Sequence, residues 1–301
     1  MNQAPSRDNI INFKNKIIPI NNTTVSRKQK KQSGTRVIAV TSGKGGVGKT
    51  NIVANLGYAL NKLGKKVLVI DADLGLGNLD VLLGIAPRYN LSHVIVGEKN
   101  IREIIVDYAG MMKILPAASG VQELSRLTKE QKIKILTALD SLTDSIDIII
   151  IDTAAGISSN VMYFNMSAQE IIVVVSPEPT SITDAYALMK VLSVKYSKKY
   201  FKLLVNMVDS DLEANEVFRQ LSLVADRFLD ISIEYIGYVL SDKNVVKSVK
   251  RQKIFSAIFP ETKSSMCFET LAKNICNSNT DNYPSRKTCF FWEYLFDNKF
   301  D

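Results

Sequence analysis

Residues Gly43-Lys44-Gly45-Gly46-Val47-Gly48-Lys49-Thr50 decide the fold. Their spacing, Gly43-x-x-x-x-Gly48-Lys49-Thr50, is that of a phosphate-binding loop, and the flanking sequence supplies what such a loop needs. Glycines let backbone N–H groups turn inward towards phosphate oxygens, and a helix that starts at the end of the loop adds its partial positive charge. Upstream, Val37-Ile38-Ala39-Val40 is a short apolar run of strand type; downstream, Ile52, Leu56, Ala59, Leu60 and Leu63 recur at helical spacing until Gly64. In that setting Lys49 neutralises β- and γ-phosphates, and the Thr50 hydroxyl is a ligand for Mg²⁺.

Outward from the loop, Val67-Leu68-Val69-Ile70 predicts a second buried strand, and strands and helices alternate beyond it. Strands are expected at 113–115, 148–151, 171–175, 201–205 and 233–238, and helices at 129–142, 182–194 and 213–228. Continuous apolar strands between amphipathic helices imply a parallel sheet covered on both faces. The expected fold is α/β: a P-loop NTPase with a doubly wound, mostly parallel sheet and helices on both faces. Residues 1–35 read as a basic flexible arm, 36–276 as the nucleotide-binding domain, and 277–301 as a linker with a candidate C-terminal helix. Pro177 and Pro179 stop strand pairing after Val175, and Thr180 or Ser181 is expected to cap the next helix.

The chain has 301 residues and a net charge of +8. Residues 1–36 hold eight bases and one acid, so all but one of the net positive charges lie there. The rest is nearly neutral, which speaks against a basic groove and a specific nucleic-acid partner. No apolar run approaches the roughly 20 residues that cross a bilayer, and the polar, basic start has no signal-peptide core, so a cytoplasmic protein is expected. Cys267, Cys276 and Cys289, an odd number without close pairing, read as free thiols. His93 has no carboxylate or cysteine constellation around it, and a structural role is expected.

Two further strand ends are acidic. Asp71-Ala72-Asp73-Leu74-Gly75 follows the second strand, and four isoleucines lead into Asp152-Thr153-Ala154-Ala155-Gly156. In parallel α/β sheets ligands collect at these carboxyl ends, beside the phosphate loop.

Lys44 adds a second lysine at the start of the loop, and Lys44-Gly45-Gly46-Val47-Gly48-Lys49-Thr50 resembles the deviant P-loop ATPases related to MinD and ParA. The resemblance covers about residues 36–268. It implies ATP and Mg²⁺ as cofactors and an ATP-dependent homodimer in which Lys44 reaches the partner's nucleotide. Asp73 is then expected to orient the attacking water, with Lys44, Lys49 and Asp73 as the catalytic set. Asp71 is expected near the metal, and Asp152 to bind it through water together with Thr50. The backbone of Gly156 is implied to sense the γ-phosphate, and Asn206 to recognise adenine, whose edge suits an amide that donates and accepts. Ala154 stands where the family often has proline.

Three segments narrow the resemblance. Asp71 to Asp80 is similar to the MinD side of the family. Leu115-Pro116-Ala117-Ala118-Ser119-Gly120-Val121-Gln122-Glu123-Leu124 and the segment Pro177 to Tyr186 are similar to the FlhG group, also called FleN or YlxH, regulators of flagellar number and placement. That group implies an FlhF-type GTPase and flagellar basal-body proteins as partners. Of its N-terminal motif Asp-Gln-Ala-x-x-Leu-Arg, only Gln3 and Ala4 match; Asn2 replaces the acid and the Leu-Arg end is missing. At the other terminus, Phe290, Phe291, Tyr294 and Leu295 share a face if helical, with Trp292 suited to an interface. The group implies reversible peripheral binding of that helix to the inner face of the cell membrane. Glu293, Asp297 and Asp301 oppose contact with anionic lipid, and packing on the ATPase body is the alternative. The rival functions are a MinD-type division-site ATPase and a ParA-type DNA partition ATPase; an iron–sulfur carrier lacks its paired cysteines.

Overall fold

The computed structural model describes residues 34–75, 77–117 and 127–278. In chain order the elements are β1 (Arg36–Ser42), α1 (Lys49–Lys62), β2 (Val67–Ala72), α2 (Leu79–Leu83), α3 (Leu91–Val96), α4 (Ile101–Ile104), β3 (Val106–Tyr108), β4 (Met112–Leu115) and α5 (Lys129–Asp140). They continue with β5 (Ile148–Ala155), α6 (Ser159–Ser167), β6 (Glu170–Val175), α7 (Pro179–Tyr196), β7 (Tyr200–Val208), α8 (Asp211–Phe228), β8 (Ser232–Leu240), α9 (Asn244–Lys250), α10 (Phe255–Ile258) and α11 (Lys263–Asn277).

The sheet has eight strands in the order β3-β4-β2-β5-β1-β6-β7-β8, parallel throughout except for β3 against β4. The isoleucine run of β5 shows why both faces are covered. Ile148 and Ile150 enter one core with Ile52, Leu56 and Leu60 of α1 and Phe268 and Leu271 of α11. Ile149 and Ile151 point the other way, into a core with Ile135 and Leu139 of α5 and Tyr163 and Phe164 of α6. Farther along that second face, Leu188 and Leu192 of α7 and Val217 and Leu221 of α8 cover Val173 and Val205. Strict alternation with nothing left for solvent requires apolar residues at every position, hence the unbroken strand. The expected doubly wound α/β fold is the one observed.

Differences from the expected elements have local causes. Strand β3 and helices α2, α3 and α4, which were not expected, are too short to establish a period. In α6 every residue from Asn160 to Ser167 is buried, so no polar face marks its turns. Helix α11 was not anticipated, although Phe268, Leu271, Ala272 and Ile275 have helical spacing. Neither Thr180 nor Ser181 caps α7: Glu178 is its N-cap residue, without a side-chain cap, and Pro179 opens the first turn. Proline there removes one of the donors a cap would serve, and the Ser181 hydroxyl instead accepts the Ser176 N–H at 3.0 Å. His93 completes the capping box of α3, its Nδ1 accepting the Asn90 N–H at 3.3 Å. Cys267 and Cys276 are free thiols; Cys289 lies outside the described residues. No described helix is long and apolar enough to cross a membrane.

At the end of the sheet away from the loop, a buried charge cluster ties three strands together. Glu170, which opens β6, accepts Arg36 Nε at 2.8 Å and Nη2 at 2.9 Å from β1, and Lys202 Nζ at 2.8 Å from β7. The side chains of Glu170 and Lys202 are each only 2% exposed. Arg36 also donates to the Ile275 carbonyl at 2.6 Å and Lys202 to Ser278 Oγ at 3.2 Å, which holds the end of α11 against the sheet. Removing the anion leaves Arg36 without a carboxylate and the buried Lys202 with only the exposed Glu234, 3.7 Å away. Glu170→Ala should therefore cost about 3–5 kcal/mol, read as a lower urea midpoint, with Glu170→Gln losing less.

Candidate nucleotide site

The site begins where β1 ends. Its N-cap residue Gly48 has φ 87° and offers no side-chain cap, and the first turn of α1 contains no acid. The backbone donors at this helix start are thus directed at the loop, a ready seat for an anion. Two glycines are dictated by their surroundings. A Cβ on Gly43 would lie 2.1 Å from the carbonyl of Asp184, so the loop starts in backbone contact with the first turns of α7. A Cβ on Gly48 would meet Asn206 Nδ2 at 2.5 Å, besides requiring a left-handed conformation.

Adjacent strands bring the acids to the same place. In the β2–β5 register Asp71 faces Asp152, and in the β1–β5 register Asp152 faces Val40, just before the loop. Both carboxylates are buried. Burial, with Asp152 next to it, pushes Asp71 up to about 8. Burial also raises Asp152, to about 6, against the opposing pull of a hydrogen bond from Thr50 and the charge of Lys49. Burial lowers the Lys49 ammonium, and Asp152 and Asp73 counter it. Lys49, Thr50, Asp73 and Asp152 therefore form one electrostatic unit.

Asp152 Oδ1 is buried without a hydrogen-bond partner. An orphaned anionic oxygen beside a threonine hydroxyl, among acids that burial disfavours, fits a divalent cation. Mg²⁺ keeps several waters and takes few protein ligands, so a threonine hydroxyl and one carboxylate suit it. Asp71 has a different task. Its Oδ1 accepts the Asp73 N–H at 3.1 Å and its Oδ2 the Leu79 N–H at 3.2 Å. Both oxygens accept backbone donors, so Asp71 anchors the loop that carries Asp73.

Three other expected residues are held in cis. Lys44 pairs with Glu178 and donates to Thr180 Oγ1 at 2.8 Å, both at the start of α7. The Gly156 N–H donates to the Ser42 carbonyl at 2.9 Å, so in this conformation it is not directed at a γ-phosphate. Asn206 Nδ2 donates to the Val47 carbonyl at 2.8 Å, fixing the end of β7 against the loop. Sequence reasoning gave Glu178 no role and read Thr180 only as a helix cap, although both follow the carboxyl end of β6, where ligands collect. Residues Phe290, Phe291, Trp292, Tyr294 and Leu295, the N-terminal Gln3 and Ala4, and 118–124 lie outside the described residues.

A parallel sheet with a two-lysine phosphate loop and acids on neighbouring strand ends defines a P-loop ATPase. Residues 35–203 match a family model described as an AAA domain. The chain is 42% identical over 260 residues to the antiactivator FleN of Pseudomonas aeruginosa, covering 86% of this chain and 93% of that protein. It is 34% identical to the flagellum site-determining protein YlxH of Helicobacter pylori, over 90% of this chain and 89% of that one. Among solved structures, the septum site-determining protein MinD complexed with Mg-ADP, from Pyrococcus horikoshii OT3, superposes with a TM-score of 0.67 at 26% identity, over 81% of this chain and 96% of that one. The chain belongs to the FleN/YlxH family of MinD-like ATPases, also called FlhG.

Loss of the loop's charge and loss of its geometry are separable. Lys49→Ala should abolish ATP binding measured by titration calorimetry and leave the contact between the loop and α7 intact. Gly43→Ala should weaken binding and also lower the urea midpoint, because its methyl group has to displace α7.

Proposed function

We propose that this ATPase is a nucleotide-operated switch that sets the number or placement of flagella, cycling between a monomer and an ATP-bound homodimer. The observation that carries the switch is the position of Lys44. Its ion pair with Glu178 joins side chains that are 36% and 62% exposed, and such a surface pair is worth about 0–1 kcal/mol. A lysine held this weakly transfers readily to a triphosphate, where several anionic oxygens compete for it. Release from Glu178 and capture by the partner's nucleotide would make dimerisation depend on ATP. The flagellar assignment rests on the similarity to FleN and YlxH over most of the chain.

In this reading the loop from Gly43 to Thr50 holds the phosphates, with Lys49 on the β- and γ-oxygens. Thr50 and Asp152 would hold Mg²⁺, which would supply charge compensation for those oxygens. Asp73, placed by its N–H on Asp71, orients the attacking water, since positioning and charge compensation dominate phosphoryl transfer. Asp71 supports that position from behind. Asn206 reads the base. Gly156 exchanges its bond to Ser42 for the γ-phosphate, which makes the β5–α6 connection the sensor. Recruitment to the membrane through the C-terminal segment, and to an FlhF-type GTPase or basal-body proteins, is the output.

The mechanism predicts different defects at two residues. Lys44→Ala should remove ATP-dependent dimerisation, followed by light scattering, and reduce hydrolysis with it, whereas Asp73→Ala should dimerise and accumulate as an ATP-bound dimer with hydrolysis reduced on the order of 10²-fold or more. Unchanged dimerisation and hydrolysis in both variants would overturn it. A deletion strain should show altered flagellar number or position with normal division; normal flagella with minicells would assign the chain to division-site selection instead.

A further inference from the structure

Four non-glycine residues among those described have positive φ: Ala109, Ser197, Met207 and Gln252. Ala109 lies in the turn between β3 and β4, Ser197 ends α7, and Gln252 follows α9, all places where a left-handed residue closes a turn or a helix. Met207 is different. At φ 62° it interrupts β7, and the register with β8 shifts between Asn206 and Val208. Such strain persists only where the surroundings impose it, and it collects at ligand sites.

The bulge decides where the side chain goes. Asn206 and Val208 are buried, whereas Met207 between them is 45% exposed. Its Cε lies 3.3 Å from where a Cβ on Gly48 would stand, next to the Asn206 amide that holds the Val47 carbonyl. The strand order then divides the site. From β1, the carboxylates Asp152 and Asp71 lie on one side, on β5 and β2; Asn206 and Met207 lie on the other, on β7 beyond β6. Metal and γ-phosphate belong with the acids, which leaves the Asn206–Met207 side for the base.

We propose that Met207 is the apolar wall on which the base of the bound nucleotide packs, its strained backbone being what turns the thioether towards the ligand. This rests on the reading of Asn206 as the residue that recognises the base edge. An unbranched, polarisable thioether suits the face of an aromatic ring. It contributes to affinity through the base alone and contributes nothing to phosphate binding.

Comparing ATP with inorganic tripolyphosphate, which has no base, tests this on the full chain by calorimetry. Met207→Gly should weaken ATP binding roughly three- to tenfold and leave tripolyphosphate binding unchanged. Met207→Leu should retain most of the ATP affinity; a loss equal to that of glycine would refute an apolar contact. A parallel loss of tripolyphosphate affinity would mean a disturbed phosphate loop and overturn the proposal. If Asn206→Ala weakens ATP binding and Met207→Gly does not, Met207 is no part of the base site, although Asn206 stands. If neither weakens it, the base lies elsewhere and both readings fall.

Discussion

Asp71 and Asp152 sit side by side on adjacent strands, buried, next to a partly buried lysine, and most of the site follows from that placement. Water would stabilise these charges far better than the protein interior does. They are held together because β2 and β5 are covered on both faces, so their register cannot slip without exposing the isoleucines. The resulting excess of carboxylate is only partly offset by Thr50, Lys49 and the backbone donors on Asp71. What remains is a local excess of negative charge that fits a divalent cation.

Helix α7 is the second point of control. Gly43 touches its backbone and Lys44 its first turn, so the phosphate loop and α7 move as neighbours or not at all. The contacts differ in strength. Backbone packing at Gly43 is a steric constraint that tolerates no added atom, whereas the pair Lys44–Glu178 is exposed and cheap to exchange. A rigid hinge beside a weak clasp is a suitable mechanical basis for a switch, because ligand binding has little to overcome in releasing the clasp. The buried ion-pair cluster, Glu170 with Arg36 and Lys202, lies at the opposite end of the strands, away from the phosphate loop.

The phosphate loop, its flanking strand and helix, and most sheet strands were legible because each carries its signal within a few residues. A loop of glycines before Lys49, or four isoleucines in a row, needs no knowledge of distant contacts. Helix α6 was not legible, because complete burial erases periodicity. The backbone bonds of Asp71 to Asp73 and Leu79 were not legible either, since an acid at a strand end looks the same in sequence whatever its oxygens accept. Glu178, Thr180 and Met207 were missed for a related reason: each acts on the loop from more than 130 residues away along the chain.

By itself, then, the sequence determined the class of fold, the phosphate seat and the chemical types of the groups around it, because those depend on local composition and periodicity. Tertiary structure alone decided which acid anchors a loop and which has an oxygen to spare, where Lys44 rests, and which face of β7 meets the loop. Those outcomes depend on strand order and register, which place residues far apart in the chain within hydrogen-bonding distance, and no short window of sequence encodes them.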